Sequence, residues 1–425
     1  MTASSAHDAV EAVWRIESAR LIAALARMVR DVGLAEDLAQ DALVAALEQW
    51  PASGIPDNPG AWLMATAQHR AIDRLRRDRM LDRKHEQLGH ELQALERAVP
   101  DLEAKVDDDI GDDLLRLIFT ACHPVLATDA RVALTLRLLG GLTTDEIARA
   151  FLVPVPTIQQ RIVRAKRTLR EARVPFEVPR AADRAGRLGS VLEVVYLIFN
   201  EGYTATAGDD WVRPALCEDA LRLGRVLAEL APRESEVHGL VALMEIQASR
   251  LGARVGASGE PILLLDQDRA RWDRLLIRRG LAALERAEQL RAPLGPYGLQ
   301  AAIAACHARA RTAEDTDWTR ITALYDALAQ LAPSPVVELN RGVAYAMAFG
   351  PAAGLEIVDA IATDPSLRTY HLLPSVRGDF LFKLGRREEA RAEFERAAAL
   401  THNAREKTLL LERAAACGPG APEGG

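Results

Sequence analysis

The sequence predicts an all-α fold, on the basis of its composition and the spacing of its apolar residues. Hydrophobic residues make up 49% of the 425 residues, enough for buried cores, whereas aromatic residues make up only 5%. Ala, Leu and Arg recur throughout, while the β-branched and aromatic residues that strands prefer do not dominate. Apolar residues return at three- and four-residue intervals, as on one face of a helix. The length indicates roughly two to four domains.

Charge, hydropathy and cysteine content exclude several classes of protein. The net charge of −7 argues against a uniformly basic surface, although it can conceal local basic patches. No apolar stretch has the length of a membrane helix, and the start of the chain has no export signal. The four cysteines are too scattered for a zinc site or a disulfide framework: Cys122, Cys217, Cys306 and Cys417. We therefore expect a cytoplasmic protein without a membrane, metal or cofactor requirement.

Five segments of different character follow one another along the chain. Amphipathic helices, broken by a proline-rich loop, occupy 8–95, and a linker with eight acidic and two basic residues occupies 96–113. A compact helical segment spans 114–175. Helices separated by Gly/Pro turns fill 187–416, and the Gly/Pro-rich tail, 417–425, is expected to be disordered.

Basic residues concentrate in two short stretches that the net charge conceals. Residues 70–84 carry a charge of +4, and residues 161–173 carry +5. Two basic helices joined by an acidic tether would suit a nucleic-acid duplex contacted at two points.

A helix-turn-helix is predicted between Thr143 and Arg173. Thr143 and Glu146 have the spacing of a capping box, so the first helix would begin at Thr144, and Pro156 suits the first position of the second helix. One stripe of the second helix is apolar and would face a core: Ile158, Ile162, Ala165 and Leu169. Its remaining polar residues could reach bases and phosphates in a major groove: Thr157, Gln160, Arg161, Arg164 and Arg167. Taken alone, a solvated basic face explains this pattern equally well.

Leu138–Arg149 and Thr157–Arg170 resemble the domain with which extracytoplasmic-function (ECF) sigma factors of the sigma-70 family read the promoter −35 element. Three short family patterns are present: Glu146-Ile-Ala148, Thr157-Ile158 and Arg164-Ala-Lys166. The proline-rich Val153–Pro156 departs from the glycine-containing turn that is usual in the family. The resemblance implies that 114–175 is sigma region 4 and that its second helix binds promoter DNA.

Gly33–Ala42 is similar to the family's polymerase-docking helix, whose hallmark is Glu-Asp-Leu/Val-x-Gln-Asp/Glu. The resemblance implies that three residues meet the clamp helices of the largest catalytic subunit of core RNA polymerase: Asp37, Gln40 and Asp41. An acidic face beside Leu38 and Leu43 would suit a basic coiled coil. Without the resemblance, an exposed helix face is the simpler explanation.

Ala61–Arg77 resembles the family's helix that reads and melts the −10 element, with a departure at Gln68–Arg70. In the family, the preceding loop holds unpaired bases, so the resemblance makes Asp57 and Asn58 candidates for base contacts. Four arginines of the helix would hold phosphates: Arg70, Arg74, Arg76 and Arg77. We expect Trp62, at the junction of loop and helix, to plug the core rather than stack on a base.

The C-terminal segment has helical-repeat spacing and no enzyme signature. Several positions fall at the intervals of a tetratricopeptide repeat: Gly378, Leu381, Gly385, Ala390, Phe394 and Ala397. A degenerate copy lies 36 residues earlier: Gly342, Tyr345, Val358 and Asp364-Pro365. Stacked helix pairs would leave a groove for a protein or peptide. The arrangement resembles a subgroup of ECF sigma factors with a fused C-terminal, tetratricopeptide-like domain.

Two segments do not fit a simple repeat, Tyr196–Tyr203 and Asp266–Trp272. Their polar residues could surround a small-molecule or metal pocket, but helix capping and hydrogen bonds between helices explain them more simply. These residues are Asn200, Glu201, Asp266, Asp268 and Trp272.

The sequence therefore predicts a non-enzymatic sigma factor that directs core polymerase to −10 and −35 elements, with a fused regulatory domain. One alternative is a free-standing regulator that binds an operator through the helix-turn-helix and senses a signal through the repeats. The docking motif and the Trp62–Arg77 helix favour the sigma factor, because such a regulator needs neither. The other alternative is an enzyme in the C-terminal half, but no nucleophile–base pair, phosphate loop or metal cluster supports it.

Overall fold

The computed structural model describes residues 3–85, 106–151, 153–204, 212–256, 260–290 and 293–418. These residues form eighteen α-helices and four short 3-10 turns, and the described ranges contain no strand, only isolated bridges such as that between Val255 and Pro261. The predicted all-α class is confirmed. The chain divides into two compact units, residues 1–195 and 196–425, with the division falling inside one helix.

The first unit contains seven complete helices and the start of an eighth. They are α1 (Ala3–Val29), α2 (Val32–Ser53), α3 (Pro59–His85), α4 (Val106–Ala121), α5 (Thr128–Leu138), α6 (Thr144–Phe151), α7 (Val155–Glu171) and α8 (Ala181–Tyr203). Helices α1, α2 and α3 pack on one another, α4 packs on α1, and α5, α6 and α7 form a second three-helix group.

The predicted boundaries in this unit need two corrections. The predicted acidic linker, 96–113, ends earlier, because α4 begins at Val106, while 86–105 lie outside the described residues. Asp113 is 1% exposed and pairs with Arg27 and Arg116, so its carboxylate belongs to the folded unit and not to a solvated tether. The proline-rich loop, predicted to span 51–60, is also shorter, because α2 continues through Pro51 to Ser53 and α3 begins at Pro59.

The second unit is built from ten further helices. They are α9 (Pro214–Leu230), α10 (Ser235–Ala248), α11 (Arg274–Gln289), α12 (Pro296–Arg309), α13 (Trp318–Leu331), α14 (Pro335–Phe349), α15 (Pro351–Ile361), α16 (Leu372–Lys383), α17 (Arg387–Leu400) and α18 (Ala404–Ala416). From α13 to α18, each helix packs chiefly on the helices next to it in the chain, whereas α12 packs most extensively on α10. The predicted tail, 417–425, begins too early, because Cys417 is 6% exposed and packs in the core of this unit. Residues 419–425 lie outside the described residues.

Small residues bring these paired helices close together. A Cβ atom at Gly378 of α16 would lie 3.0 Å from the Phe394 ring of α17. Likewise, a Cβ atom at Gly342 of α14 would lie 2.9 Å from Val358 of α15. The turn between α16 and α17 uses Gly385, whose φ of 76° favours glycine. These are the positions that the repeat spacing singled out, while the tetratricopeptide assignment itself stays a prediction.

Candidate nucleic-acid interface

The first helix of the helix-turn-helix, α6, begins with the predicted capping box. The Glu146 amide donates to Thr143 Oγ1 at 3.2 Å, and the Thr143 amide donates to Glu146 Oε2 at 2.8 Å. Burial opposes ionisation of Glu146, but hydrogen bonds from Thr143 and the nearby guanidinium of Arg15 outweigh it and lower its pKa. This closed pair of bonds fixes the start of α6 at Thr144, as the sequence predicted.

The second helix, α7, buries the predicted apolar stripe and presents the predicted polar face. Its buried residues are Ile158, Ile162, Ala165 and Leu169. Gln160, Arg164 and Arg167 are exposed, whereas Thr157 and Arg161 are half-buried. The helix begins at Val155, so Pro156 is its second residue rather than its first.

The arginines of α7 differ in how strongly they are held within the protein. Arg161 pairs with Asp129 at 3.2 Å, and Arg167 pairs with Glu171 at 2.6 Å. Within the described part of the chain, no carboxylate pairs with Arg164. Arg164 is therefore the α7 arginine best placed to exchange water for a base edge.

The loop before α3 places Asp57 and Asn58 at the surface. Both are exposed, but Asn58 also caps α3, since its Oδ1 accepts from the Ala61 amide at 3.1 Å. A base contact by Asn58 would therefore use its amide nitrogen. Trp62 is half-buried and packs edge-on against the buried Trp50, with ring centroids 5.4 Å apart, as expected of a core plug.

The predicted phosphate-binding arginines of α3 occupy two faces of the helix. Arg70, Arg74 and Arg77 line one cavity of about 400 Å³. Arg76 is roughly 120° around the helix from Arg70, so it lies on a different face of α3. Asp37 and Asp41 of α2 line the same cavity, with Arg70 Nη1 3.9 Å from Asp41 Oδ2. The structure thus brings predicted phosphate-binding and polymerase-binding side chains to one cleft.

The predicted docking residues of α2 form an acidic edge. Asp37 and Asp41 are exposed, and the half-buried Gln40 donates to Glu36 Oε1 at 2.6 Å. Leu38 is not part of this surface, because it is 5% exposed and belongs to the core. Of the two leucines named for this face, Leu43, which is half-buried, can contribute apolar contact beside the acids.

Glu36 is a central residue that the sequence-based interpretation missed. It is 2% exposed, and its carboxylate lies 2.6 Å from Arg137 Nε of α5 and 2.6 Å from Lys166 Nζ of α7. The sequence pattern indicated its burial, because Glu36 lies among the positions Val32, Ala35 and Ala39, which form the buried face of α2. An acid on a buried face requires a cationic partner.

Further ion pairs join the α1–α3 group to the α5–α7 group. Arg170 Nε donates to Asp31 Oδ2 at 2.5 Å, while Asp31 Oδ1 caps α2. Burial of Asp31 opposes its ionisation, but Arg170 and the capping amides outweigh burial and lower its pKa. Arg15 Nη2 donates to Glu146 Oε1 at 2.8 Å. The basic helix α7 is thus held against the acidic helix α2.

A cavity of about 600 Å³ lies at the same junction. Its lining is predominantly cationic, with five basic residues against two acids: Arg27, Arg30, Lys166, Arg170 and Arg173, with Asp31 and Glu177. Arg30 and Arg173 follow α1 and α7 with φ angles of 55° and 49°, a left-handed conformation that is uncommon for arginine.

The two unassigned C-terminal segments are largely explained by local structure. Glu201 pairs with Arg213, and Asp268 accepts from the Ala270 amide as a cap. Asp266 is exposed, and no group of acidic, histidine or cysteine side chains in the described ranges could hold a metal. Trp272, by contrast, is 3% exposed and packs among arginines. None of the helices in these ranges has the length and apolarity needed to cross a bilayer.

Comparison with known families identifies three parts of the chain. The family Sigma-70 region 2 matches residues 15–80, and Sigma-70, region 4 matches residues 116–169. A family of unknown function (DUF6596) matches residues 187–288. The two sigma-70 matches cover the α1–α3 group and the helix-turn-helix, which defines the class as a sigma factor, a non-catalytic transcription factor.

Similar proteins specify the class further. The "ECF RNA polymerase sigma factor SigK" of Mycobacterium ulcerans is 30% identical over 158 residues, 36% of this chain and 78% of that protein. The "Probable ECF RNA polymerase sigma factor SigI" of Mycobacterium tuberculosis is 28% identical over 204 residues, 45% of this chain and 68% of that protein. The chain belongs to the ECF RNA polymerase sigma factors.

One relative extends through the C-terminal unit as well. The "Uncharacterized protein R00370" of Rhizobium meliloti is 44% identical over 389 residues, 91% of this chain and 90% of that protein. The similarity therefore includes the segment of unknown function.

Proposed function

We propose that this sigma factor docks on core polymerase through Asp37, Gln40 and Asp41 and reads the −35 element through α7. The observation that carries the proposal is the division of α7 into a buried apolar stripe and an exposed face with Gln160 and Arg164. Arginine and glutamine are the side chains that pair bidentately with guanine and adenine in the major groove.

The −10 element is assigned to the loop before α3 and to α3 itself. Asp57 and the amide nitrogen of Asn58 would contact unstacked bases, and Arg70, Arg74 and Arg77 would hold phosphates on one face. Arg76, on another face, would contact a different phosphate or none. Phosphate contacts supply affinity that falls with salt, while the base contacts select the sequence.

The packing of α7 against α2 has a consequence for promoter binding. The −10 and −35 elements are about 25 base pairs apart, roughly 85 Å along B-form DNA at 3.4 Å per base pair. Lys166 of α7 lies 3.9 Å from Asp37, which shares a cleft with Arg70 and Arg74 of α3. The two reading surfaces are too close to contact both elements at once, so the two helix groups must separate.

Separation is compatible with the length of chain between α3 and α4 if α4 leaves α1, where its Asp113 pairs with Arg27. Residues 86–105 lie outside the described residues, and a chain of 20 residues can span at most roughly 70 Å. Polymerase would stabilise the separated state by binding the acidic edge of α2 in place of Lys166. Full promoter affinity would then require the polymerase.

The C-terminal unit is proposed to regulate the sigma unit from within the same cytoplasmic chain, and its paired helices to bind a protein or peptide. A tethered domain acts at an effective concentration near millimolar, so even a weak contact is largely occupied. Run-off transcription with purified core polymerase, with and without the protein, tests the central proposal. Transcripts that begin at the same promoter in both reactions would refute it.

A further inference from the structure

Arg250 contacts both of the segments that do not fit a simple repeat, Tyr196–Tyr203 and Asp266–Trp272. Tyr203 ends α8, Trp272 follows the turn Arg269–Arg271, and Arg250 follows α10. Arg250 Nε donates to the Tyr203 hydroxyl at 3.1 Å, and its Nη2 donates to the same oxygen. The guanidinium carbon lies 5.7 Å from the ring centroids of both Tyr203 and Trp272. All of these residues belong to the second unit.

Positive charge accumulates around this contact. The guanidinium carbon of Arg254 lies 3.8 Å from the Tyr203 ring, and that of Arg269 lies 5.0 Å from the Trp272 ring. Both arginines are 8% exposed, and burial, together with repulsion from Arg250, lowers the pKa of each guanidinium. A buried cation such as Arg269 is ordinarily paired with an anion.

The acceptors that Arg269 uses are all uncharged. It donates to the carbonyl oxygens of His307 and Ala310 at 2.5 and 2.9 Å and to Thr316 Oγ1 at 3.1 Å. These bonds fix the guanidinium without neutralising it. Across the described ranges, no carboxylate forms an ion pair with Arg250 or Arg269.

Two buried nitrogen atoms of the cluster also have no hydrogen-bond partner, Trp272 Nε1 and His307 Nδ1. Trp272 is 3% exposed and His307 is 7% exposed. Burial, and then the charges of Arg250 and Arg269, lower the pKa of His307 to about 4, so the imidazole is neutral near pH 7. A buried indole N–H usually finds an acceptor.

We propose that this cluster binds an oxyanion, the phosphate or carboxylate group of a small molecule, through Arg250 and the indole N–H of Trp272. Arg250 uses Nε and Nη2 on Tyr203, which leaves Nη1 for the anion, and its half-buried side chain gives access from solvent. Guanidinium is well suited to planar, charge-assisted contacts with such groups. This site goes beyond promoter recognition, because the C-terminal unit would then bind a small-molecule ligand.

The pKa of Tyr203 also depends on the positive charges of this cluster. Burial opposes ionisation of its hydroxyl, but Arg250 and Arg254 outweigh burial and hold its pKa below the ordinary value. The positive charges of both guanidinium groups therefore favour the anionic form of the Tyr203 hydroxyl. A bound oxyanion would offset these charges and raise the pKa of Tyr203.

Isothermal titration calorimetry on the full chain tests the proposal with three probes: inorganic phosphate, pyrophosphate and citrate. We expect at least one to bind, and Arg250→Gln to weaken it by roughly tenfold or more, the effect of one lost charge-assisted hydrogen bond. The control, Arg278→Gln, removes an exposed arginine of α11 and should leave binding unchanged. A preference for citrate over the two phosphates would assign the carboxylate class.

Trp272→Phe is the second variant. It keeps a six-membered aromatic ring and removes the five-membered ring of the indole, which carries the N–H donor. It should weaken the same probe several-fold and so tests the site even if Arg250→Gln does not fold. The proposal is wrong if the folded wild-type protein binds none of the three probes at millimolar concentration. It is also wrong if either folded variant binds as tightly as the wild type.

Discussion

The carboxylate of Glu36 in α2 lies 2.6 Å from the ammonium group of Lys166 in α7, and Glu36 is 2% exposed. The same carboxylate lies 2.6 Å from Arg137. One buried acid therefore connects the helix predicted to dock on polymerase with the helix predicted to read DNA. This relationship makes the first unit a single packed body, and it provides a direct test of how firmly that body is held.

Glu36→Gln should destabilise the first unit by roughly 3 kcal/mol. Removing one partner of a buried ion pair costs about 3–5 kcal/mol. The low end applies because the Arg137 and Lys166 side chains are 20% and 19% exposed and can regain some water. Thermal and denaturant unfolding would measure the change, with Glu48→Gln, an exposed glutamate on the same helix, as the control. Equal stability of the two variants would show that the Glu36 pairs add nothing.

Core polymerase should move the two helix groups of the first unit apart. Fluorophores at Ile16→Cys of α1 and Val163→Cys of α7 would report this, since both positions are exposed and the four native cysteines are buried. Energy transfer should fall when polymerase is added. A pair at Ile16→Cys and Ala52→Cys, both in the α1–α3 group, should not change. Unchanged transfer between the first two positions in a polymerase-bound sample would contradict separation.

The double substitution Asp37→Ala, Gln40→Ala should weaken binding of core polymerase and leave the fold intact. Asp37 is exposed and Gln40 is half-buried, so the change removes surface charge and one hydrogen bond to Glu36 without opening the core. Gln49→Ala, about 180° around α2 from Gln40, is the control. A pull-down in which the folded double variant binds like the control would remove the docking assignment.

Arg164→Ala should cost roughly 1–3 kcal/mol of promoter affinity, with the loss confined to one or two base pairs of the −35 element. Binding of the holoenzyme to a panel of single-base promoter variants would measure it. Arg149→Ala, an exposed arginine of α6, is the comparison and should lack this positional pattern. A loss spread evenly over the panel would reduce Arg164 to a phosphate contact.

Removal of the C-terminal unit should lower promoter-dependent transcription several-fold. The chain should be truncated after Val195, where the first unit ends. Two residues just before this point bind the first unit: Arg187 donates to the Phe119 carbonyl at 2.7 Å, and Ser190 donates to the Cys122 carbonyl at 2.8 Å. A cut after Pro179 would remove these bonds from the sigma unit and confuse instability with regulation. Run-off transcription by the folded, polymerase-bound fragment gives the answer. Activity equal to that of the full chain would mean that the C-terminal unit does not regulate initiation.

Local patterns in the sequence were sufficient to predict the helix-turn-helix. The capping box at Thr143 and Glu146 and the apolar stripe from Ile158 to Leu169 are formed by residues within a few positions of one another. The role assigned to Leu38 failed for a related reason. Its apolar character is visible in the sequence, but whether it faces the core or the surface depends on the helices that cover α2.

The sequence by itself determined the helical class and the α6 start, because backbone capping and 3.6-residue periodicity act over short distances. The sigma-type segments were predicted from the resemblance of their short motifs to a known family. Only the tertiary structure decided which charges are buried together. Arg137 and Glu36 are 101 residues apart, and Arg250 contacts both Tyr203 and Trp272, which lie in separate segments of the chain. Local periodicity does not specify such pairings, since they arise when separate helices pack and the cost of desolvation then selects the neighbours of each charge.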